Sequence, residues 1–196
     1  MKVIVGLGNP GHRYEGTRHS VGWWVLDHLA DVWRFGPWRP DGANVVADGT
    51  LEGEPLRLVK PQTFMNLSGE GVASYLAGGL DPRAALLVIV DEAAIPVGRY
   101  RLRAEGSSGG HNGLRDIERA IGHSHYARLR IGVGPTVPDT RIPDLAEYVL
   151  GAVPLDEREA IAALMPQLTR VSALWVVDGV AAAVSRQGSG PPRPDR

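Results

Sequence analysis

The sequence predicts an α/β fold, a single-domain sandwich in which helices flank a mixed β-sheet, over residues 1–186. Short apolar runs typical of buried strands alternate along the chain with segments whose apolar residues recur at helical spacing. A chain of 196 residues is long enough for one well-buried domain and short for two. Residues 187–196, made mostly of Gly, Pro, Ser and charged residues, are predicted to form a disordered tail.

The first half of the chain is predicted to contain three strands and two helices. Residues 2–7 form a nearly continuous apolar run, which is typical of a buried central strand. Apolar residues at helical spacing from Val21 to Val32 predict a helix that Thr17 or Ser20 caps. The other predicted elements of this half are strands at 44–50 and 55–60 and a helix at 68–77.

In the second half, residues 84–90 give the strongest strand pattern, and the sequence runs from there directly into Asp91 and Glu92. Pro166 lies inside a helical pattern that spans 156–183, so we expect a kink or two abutting helices. The other predicted elements are strands at 99–103 and 128–134 and a helix at 112–121, which follows a Gly/Ser loop at 105–110.

Composition excludes several classes of site. The chain has no cysteine, so disulfides, thiolate catalysis and zinc–cysteine sites are ruled out. Its net charge of −1 means that binding to a nucleic acid would have to come from a local basic patch. No run of 18 apolar residues and no secretion signal is visible in the sequence, which favours the cytoplasm and predicts no membrane association.

Residues 6–11 match the G-x-G-x-x-G pattern directly after a strand, which is the signature of dinucleotide-binding proteins. That signature needs a helix to begin inside the glycine run, whereas Pro10 removes a backbone N–H there and the predicted helix begins much later. A simple turn is a second interpretation. We favour a third, in which the glycines place Asn9 at the end of a central strand, where α/β proteins collect ligands.

Polar side chains capable of chemistry follow predicted strands or precede predicted helices at several points. A histidine with a carboxylate partner, such as His19 with Asp91, is the minimal set for activating water. Asparagine amides can hold a substrate carbonyl or an oxyanion. The asparagines in question are Asn9, Asn66 and Asn112, the last of them next to His111. Taken singly, each of these residues is also explained by a cap or a turn.

Arginines are concentrated between residues 99 and 130. Arg99, Arg101 and Arg103 alternate along one predicted strand, and Arg128 and Arg130 repeat this spacing on another, so each set shares a face. Such a patch suits the phosphates of an RNA backbone. A solvated face that is partly neutralised by nearby acidic residues explains the same pattern.

Three long motifs, in order, resemble signatures of the bacterial peptidyl-tRNA hydrolases. Their segments are 6–11 with Tyr14 and Thr17-Arg18-His19; Lys60-Pro61-Gln62-Thr63-Phe64-Met65-Asn66-Leu67-Ser68-Gly69; and 106–114. Asp91-Glu92 and residues 128–132 fit the same family, and the resemblance extends to about residue 186. It implies a single α/β domain that hydrolyses the ester between a peptide and tRNA, recycling tRNA from aborted translation. It further implies a monomer that needs no metal and no cofactor.

The resemblance also assigns roles to individual residues. It implies that His19 is the base that activates water and that Asp91 is its partner. The substrate-binding residues that it implies are Asn9, Tyr14, Met65, Asn66 and Asn112. Arg103 and Arg130 stand where the family has basic residues that contact tRNA phosphate. We also expect the loop at 105–110 and the stretch 135–147 to act as gates over the cleft.

The chain departs from the family pattern at three positions. Ser20 follows the predicted catalytic histidine where the family often has Asn, and Arg103 stands where Lys is frequent. Ala94 occupies the position of a second acid that commonly follows Asp91-Glu92. These changes leave room for a non-catalytic RNA-binding protein on the same scaffold, although RNA binding alone has no need for the His19–Asp91 pair. An oxidoreductase that uses a dinucleotide is the other alternative.

Overall fold

The computed structural model describes residues 1–187, which form a seven-stranded mixed sheet covered by helices on both faces. The strands are β1 (Lys2–Gly6), β2 (Arg39–Asp41), β3 (Asn44–Leu51), β4 (Glu54–Pro61), β5 (Leu86–Pro96), β6 (Tyr100–Arg103) and β7 (Ala127–Gly134). The helices are α1 (Val21–Val32), α2 (Ser68–Ala77), α3 (Pro82–Ala85), α4 (Asn112–Ile121), α5 (Leu145–Leu150), α6 (Leu155–Ala162) and α7 (Met165–Arg186). This architecture confirms the predicted fold class.

The strand order is β2-β3-β4-β1-β5-β7-β6, which places β1 and β5 in the middle of the sheet. The pairs β4/β1, β1/β5 and β5/β7 are parallel, and the pairs β2/β3, β3/β4 and β6/β7 are antiparallel. The parallel centre explains the continuous apolar sequence of β1, because both of its faces are buried. Because β1 and β5 are parallel neighbours, their carboxyl ends lie next to each other at the same edge of the sheet.

Alternate residues of the central strands are buried on opposite faces of the sheet. Ile4, Leu87 and Ile89 pack with Leu26 of α1 and Trp175 of α7 on one face. The other face combines Val3, Val5, Val88 and Val90 with Val72 of α2 and with Leu114 and Ile117 of α4. These two apolar layers fix the sheet between the helices, so the loops at the carboxyl ends of β1 and β5 are held at a common edge.

The glycine run after β1 serves packing rather than nucleotide binding. A Cβ atom on Gly6 would lie 2.4 Å from the carbonyl oxygen of Gly22, and one on Gly8 would lie 2.7 Å from the Trp23 ring. Helix α1 thus packs directly against the end of β1, and it begins only at Val21. A helix that begins so far beyond the glycines cannot present its N-terminus to a pyrophosphate bound there, so the dinucleotide interpretation is wrong.

Several predicted boundaries differ from the structure. The strand predicted at 84–90 begins at Leu86 and continues to Pro96, because β7 pairs with it beyond Asp91. Ser20, not Thr17, precedes α1, but its side chain does not cap the helix. Helix α4 is capped by His111, whose ring accepts the N–H of Leu114. The short elements β2, α3 and α5 were not predicted, since three to six residues give little periodicity.

The C-terminal helical segment contains two helices, as Pro166 predicted. Helix α6 ends at Ala162, and α7 begins at Met165 with Pro166 in its first turn, where a missing N–H is tolerated. A second break, at Gly179 with φ 83°, was not predicted. Helix α7 has the length and hydropathy of a possible membrane span, yet Leu168 and Trp175 bury one of its faces in the core.

The predicted boundary of the tail is one residue too early. Gln187 bonds both backbone groups of Leu102: its Oε1 accepts the N–H at 2.7 Å, and its Nε2 donates to the carbonyl oxygen at 3.1 Å. The side chain therefore continues the hydrogen bonding of β6 at the edge of the sheet. The rest of the predicted disordered tail, residues 188–196, lies outside the described residues.

Candidate active site

Two histidines converge on one buried carboxylate at the edge where β1 and β5 end. His19 lies on a 3-10 helix, Arg18–Ser20, that leads into α1, and Asp91 lies within β5. Nδ1 of His19 is 2.8 Å from Oδ1 of Asp91, and Nε2 of His111 is 3.0 Å from the same oxygen. The Asp91 side chain is 3% exposed, so these contacts are shielded from water. The structure thus brings His19 and Asp91 together, as the sequence predicted.

The hydrogen bonds fix which ring nitrogens carry protons. Nδ1 of His111 accepts the backbone N–H of Leu114 at 3.3 Å, so its proton lies on Nε2, which donates to Asp91. Asp91 is a carboxylate and can only accept, so Nδ1 of His19 also donates to it. Among the described residues, Nε2 of His19 has no hydrogen-bond partner, which leaves its lone pair available to a water molecule.

The carboxylate of Asp91 is charged despite its burial. Burial by itself would raise the pKa of the Asp91 carboxyl group, since it disfavours the charged form. The electrostatic attraction of the His111 and His19 rings, together with the hydrogen bonds that they donate, lowers this pKa by more. The pKa of Asp91 is therefore held well below its usual value. An anion at this position stabilises the positive charge that His19 acquires when it takes a proton.

The side chains of His19, Asp91 and His111 are better arranged for hydrogen bonding to one another than for binding a metal ion. Their potential ligand atoms lie within 4.8 Å of one another. A histidine ligand must offer a lone pair to the metal and usually donates its other ring N–H to a neighbour. His111 has the opposite arrangement, because the Leu114 N–H occupies the lone pair of Nδ1 and the proton faces Asp91. The absence of a metal requirement stays a prediction.

A cavity of about 230 Å³ opens beside the histidine pair. Its lining residues are His19, Asp91, Glu92, Ala93, Gly109, Gly110, His111, Asn112, Leu145, Ala146 and Val149. Asn112, predicted to bind substrate, therefore shares the cavity with His19. The short helix α5 forms an apolar part of the wall, and sequence analysis missed it. Asp144, whose side chain caps α5 at the N–H of Glu147, was the available signal.

In the described part of the chain, the other residues predicted to bind substrate do not line this cavity. They are Asn9, Tyr14, Met65 and Asn66. Asn9 is buried, and its Oδ1 accepts the N–H of Met65 at 2.8 Å, which joins the end of β1 to the loop before α2. Asn66 is exposed next to this bond. The half-buried Tyr14 ring meets the exposed Phe64 ring edge-on at 6.5 Å. Phe64, not singled out from the sequence, thus adds an aromatic surface beside Tyr14.

Met65 connects the asparagine loop to the histidine pair. The side chain is buried, and a Cβ atom on Gly113 would lie 2.6 Å from its sulfur and 3.2 Å from the His111 ring. The absence of a side chain at Gly113 therefore lets Met65 approach the start of α4. Met65 thus packs close to His111, and its predicted position in the substrate cleft stays a prediction.

The predicted phosphate-binding arginines differ in exposure. Strand register pairs Arg101 with Arg130 and Arg103 with Arg128, so the four side chains share one face, whereas the sequence predicted a shared face only within each strand. Arg101 and Arg103 are exposed. Arg130 is buried, forms an ion pair with Glu92 and donates to the carbonyl oxygen of Ser107 at 2.7 Å. The Gly/Ser loop thus covers Arg130 in this structure, and its contact with tRNA phosphate stays a prediction.

Arg128 also binds the Gly/Ser loop. Its side chain is 1% exposed, and its guanidinium donates to the carbonyl oxygens of Gly106 and Ser107 and pairs with Glu118 at 3.2 Å. Together, Arg128 and Arg130 bind the loop that leads to His111. The two buried arginines therefore fix the Gly/Ser loop against the sheet next to the His19–Asp91–His111 cluster.

Comparison with known proteins identifies the family. A sequence model of the peptidyl-tRNA hydrolase family matches residues 3–192. The chain is 49% identical over 189 residues to a peptidyl-tRNA hydrolase of Gemmatimonas aurantiaca, covering 96% of this chain and 100% of that protein. It belongs to the peptidyl-tRNA hydrolase family. A second family member, from Brevibacillus brevis, is 39% identical over 89% of this chain and 91% of its own length.

Solved structures of the family agree with the architecture. The crystal structure of peptidyl-tRNA hydrolase from Acinetobacter baumannii superposes with a TM-score of 0.88 at 33% identity, over 98% of this chain and 97% of that one. The family resemblance inferred from three motifs is therefore confirmed over almost the whole chain. Membership in the peptidyl-tRNA hydrolase family also argues against the oxidoreductase alternative.

Proposed function

We propose that this chain hydrolyses the ester bond between a peptide, or an N-acylated amino acid, and tRNA, with His19 as the general base. Nε2 of His19 takes a proton from a water molecule, whose oxygen attacks the ester carbonyl. Collapse of the tetrahedral intermediate expels the 3′ oxygen of the tRNA, which receives the proton. The products are a peptide with a free carboxylate and a tRNA with a free 3′ hydroxyl.

The observation that carries this proposal is the 2.8 Å bond between His19 and Asp91 at the edge of a cavity. The bond fixes the tautomer in which Nε2 is the basic nitrogen, and the buried negative charge favours the imidazolium ion. No covalent intermediate is required by this arrangement, because no serine or cysteine in the described part of the cavity wall offers a nucleophile.

Asparagine side chains are the candidates for holding the substrate. Asn112 lines the cavity at the start of α4, where its amide can bind the ester carbonyl or the attacking water. Its Oδ1 accepts a bond from Arg115 at 3.2 Å, which orients its amide nitrogen. Asn9 holds the loop of Met65 and Asn66 by its oxygen, so we assign it a supporting position and Asn66 an exposed contact with the substrate.

The tRNA is proposed to lie along the exposed arginines of β6. Arg101 and Arg103 project from the face that also carries the loop over Arg130. A guanidinium binds phosphate oxygens with two parallel hydrogen bonds, so Arg103 keeps the function of a lysine at this position. Arg130 acts in this proposal through the loop at 106–110, since Glu92 and Ser107 occupy its guanidinium.

The remaining parts of the proposal concern the state of the protein. We propose a cytoplasmic monomer that acts without a metal or cofactor and without a membrane, as the family resemblance implies. The alternative, a non-catalytic RNA-binding protein, is disfavoured by the buried His19–Asp91–His111 cluster, because burying a charged carboxylate at a cavity serves no purpose in phosphate binding.

The decisive comparison is between turnover and binding. Purified protein, first treated with a chelator, is incubated with N-acetyl-aminoacyl-tRNA, and the released acyl amino acid is measured alongside the tRNA dissociation constant. We expect repeated turnovers without any added cofactor. Tight binding of tRNA with no release would favour the RNA-binding alternative, and release that depends on returning a specific metal would overturn the proposed mechanism.

A further inference from the structure

Arg18, the residue before the proposed base, has a buried guanidinium with four hydrogen bonds. Its Nε and Nη2 donate to Oε2 of Glu157 at 3.1 and 2.8 Å. Its Nη1 donates to the carbonyl oxygens of Tyr148 at 3.3 Å and Ala152 at 3.4 Å. The side chain therefore joins the turn at residue 18 to α5 and α6.

Backbone bonds reinforce this connection. The N–H of Arg18 donates to the carbonyl oxygen of Gly151 at 3.3 Å, and the N–H of Val153 donates to that of Gly16 at 3.0 Å. Thr17 and Ala152 form an antiparallel bridge between the same two segments. The turn that leads to His19 and the segment that follows α5 are thus bonded to each other on both sides of Thr17, through Gly16 and Arg18.

Helix α5 depends on such external support. It has six residues, shorter than a helix that is stable by itself, and its Leu145 and Leu150 are largely exposed. Its last carbonyl groups lack partners within the helix, and a cation near them is also favoured by the helix dipole. The carbonyl oxygen of Tyr148 accepts the N–H of Gly151 at 3.2 Å, and the guanidinium of Arg18 adds a second hydrogen bond and a positive charge at this end.

The aromatic ring of Tyr148 completes the support. The guanidinium carbon of Arg18 lies 4.2 Å from the ring centroid, and the Tyr148 hydroxyl donates to the carbonyl oxygen of Val133 on β7 at 2.7 Å. Helix α5 is therefore fixed both to the sheet and to the catalytic turn. On its other side, α5 contributes Leu145, Ala146 and Val149 to the wall of the cavity that contains His19.

From these contacts we infer that Arg18 is a positioning residue that holds α5 as the substrate-facing wall of the catalytic cavity. The inference rests on the proposed function, because it takes this cavity as the site of hydrolysis. One side chain thereby couples the position of the wall to that of the base. Lysine cannot replace this function, since a single ammonium group lacks the planar fork that reaches Glu157 and two carbonyl oxygens together.

The test compares Arg18→Lys with the wild type. We expect KM for N-acetyl-aminoacyl-tRNA to rise about tenfold, the size of the loss of one good hydrogen bond to a charged group, while kcat stays within about threefold. Amide hydrogen exchange across residues 145–150 should become faster in the free protein. Glu157→Gln, which keeps an oxygen acceptor without charge, should shift KM and exchange in the same direction by a smaller amount.

Arg57→Lys is the matched control, because Arg57 pairs with Asp41 and Asp48 on the far strands of the sheet. It should lower stability without changing KM. The inference is overturned if Arg18→Lys leaves KM unchanged, whether or not exchange at 145–150 increases, or if it lowers kcat alone. The wild-type rate in the same series tests the proposed function separately, and the exchange rates test the support of α5 without any substrate.

Discussion

Nε2 of His111 lies 3.0 Å from Oδ1 of Asp91, on the oxygen that His19 also approaches. The ring of His111 cannot serve as a base at this position, since both of its nitrogens are engaged, one by Asp91 and the other by the N–H of Leu114. In the proposed mechanism it holds the carboxylate. The start of α4 would thereby help to orient the proposed base, which lies on a different segment of the chain.

Replacing His111 tests this orienting contact. His111→Ala should lower kcat about tenfold, since Asp91 loses one of two hydrogen bonds and its position relative to His19 loosens. The effect should be smaller than that of removing the base itself. Steady-state release of N-acetyl amino acid measures it, with His125→Ala as the control, because His125 is exposed and outside the cavity. An unchanged kcat in His111→Ala would remove this residue from the account.

Asp91 should make stability depend on pH in the acid range. Its pKa is lower in the folded protein than in the unfolded chain, so its stabilising contribution is complete above the unfolded value. This contribution is lost as the pH falls below about 4, where the unfolded chain takes up the proton first. Asp91→Asn should therefore show a shallower fall in the free energy of unfolding below this pH. Urea titrations between pH 7 and 3 measure it, and parallel curves for the two proteins would contradict the assignment.

The exposed arginine of β6 should govern the salt dependence of tRNA binding. Arg103→Glu should weaken binding and reduce the slope of log affinity against log salt by about 0.7 to 0.9, the contribution of one phosphate contact. Arg170→Glu provides the control, because Arg170 is exposed on α7. Equal slopes for Arg103→Glu and the wild type would exclude a phosphate contact at this residue.

Arg130 should behave differently from Arg103. Arg130→Gln should leave the salt slope of tRNA binding unchanged, because its guanidinium is buried against Glu92 and Ser107. It should speed hydrogen exchange in residues 106–110 and lower kcat/KM, since the loop leads directly to His111 and Asn112. A slope reduced as much as in Arg103→Glu would instead support the direct phosphate contact that the family resemblance implied.

The sequence predicted that His19 and Asp91 meet because each of them lies beside a strand that is recognisable from its local pattern. His19 follows the glycine run after β1, Asp91 follows the most apolar run of the chain, and both runs are parallel strands whose ends meet. It placed Asp91 after the strand, whereas β5 continues to Pro96 through its pairing with β7. That pairing is a tertiary effect, and no periodicity in residues 91–96 indicates it.

The features missed from the sequence depend on which segments fold over the sheet edge. The alternation of Arg128 and Arg130 with apolar residues correctly predicted a shared face, but a covering loop of glycine and serine leaves no hydrophobic pattern. Helix α5 has only six residues, and it is bonded through Tyr148 to Arg18, which lies 130 residues away in sequence. Such polar contacts between distant segments determine which side chains are buried and where a short helix lies, but they do not show in the spacing of apolar residues along the sequence.

The measurement that bears most directly on the account is single-turnover release of N-acetyl amino acid from tRNA by His19→Ala, with the tRNA dissociation constant determined in parallel. A positioned general base contributes about 10²- to 10⁴-fold, so the rate should fall by that amount while tRNA affinity stays within about twofold. His28→Ala, which removes a half-buried histidine bonded to Thr169, should keep the wild-type rate. Release by His19→Ala at the wild-type rate would contradict the proposal that this imidazole activates the water.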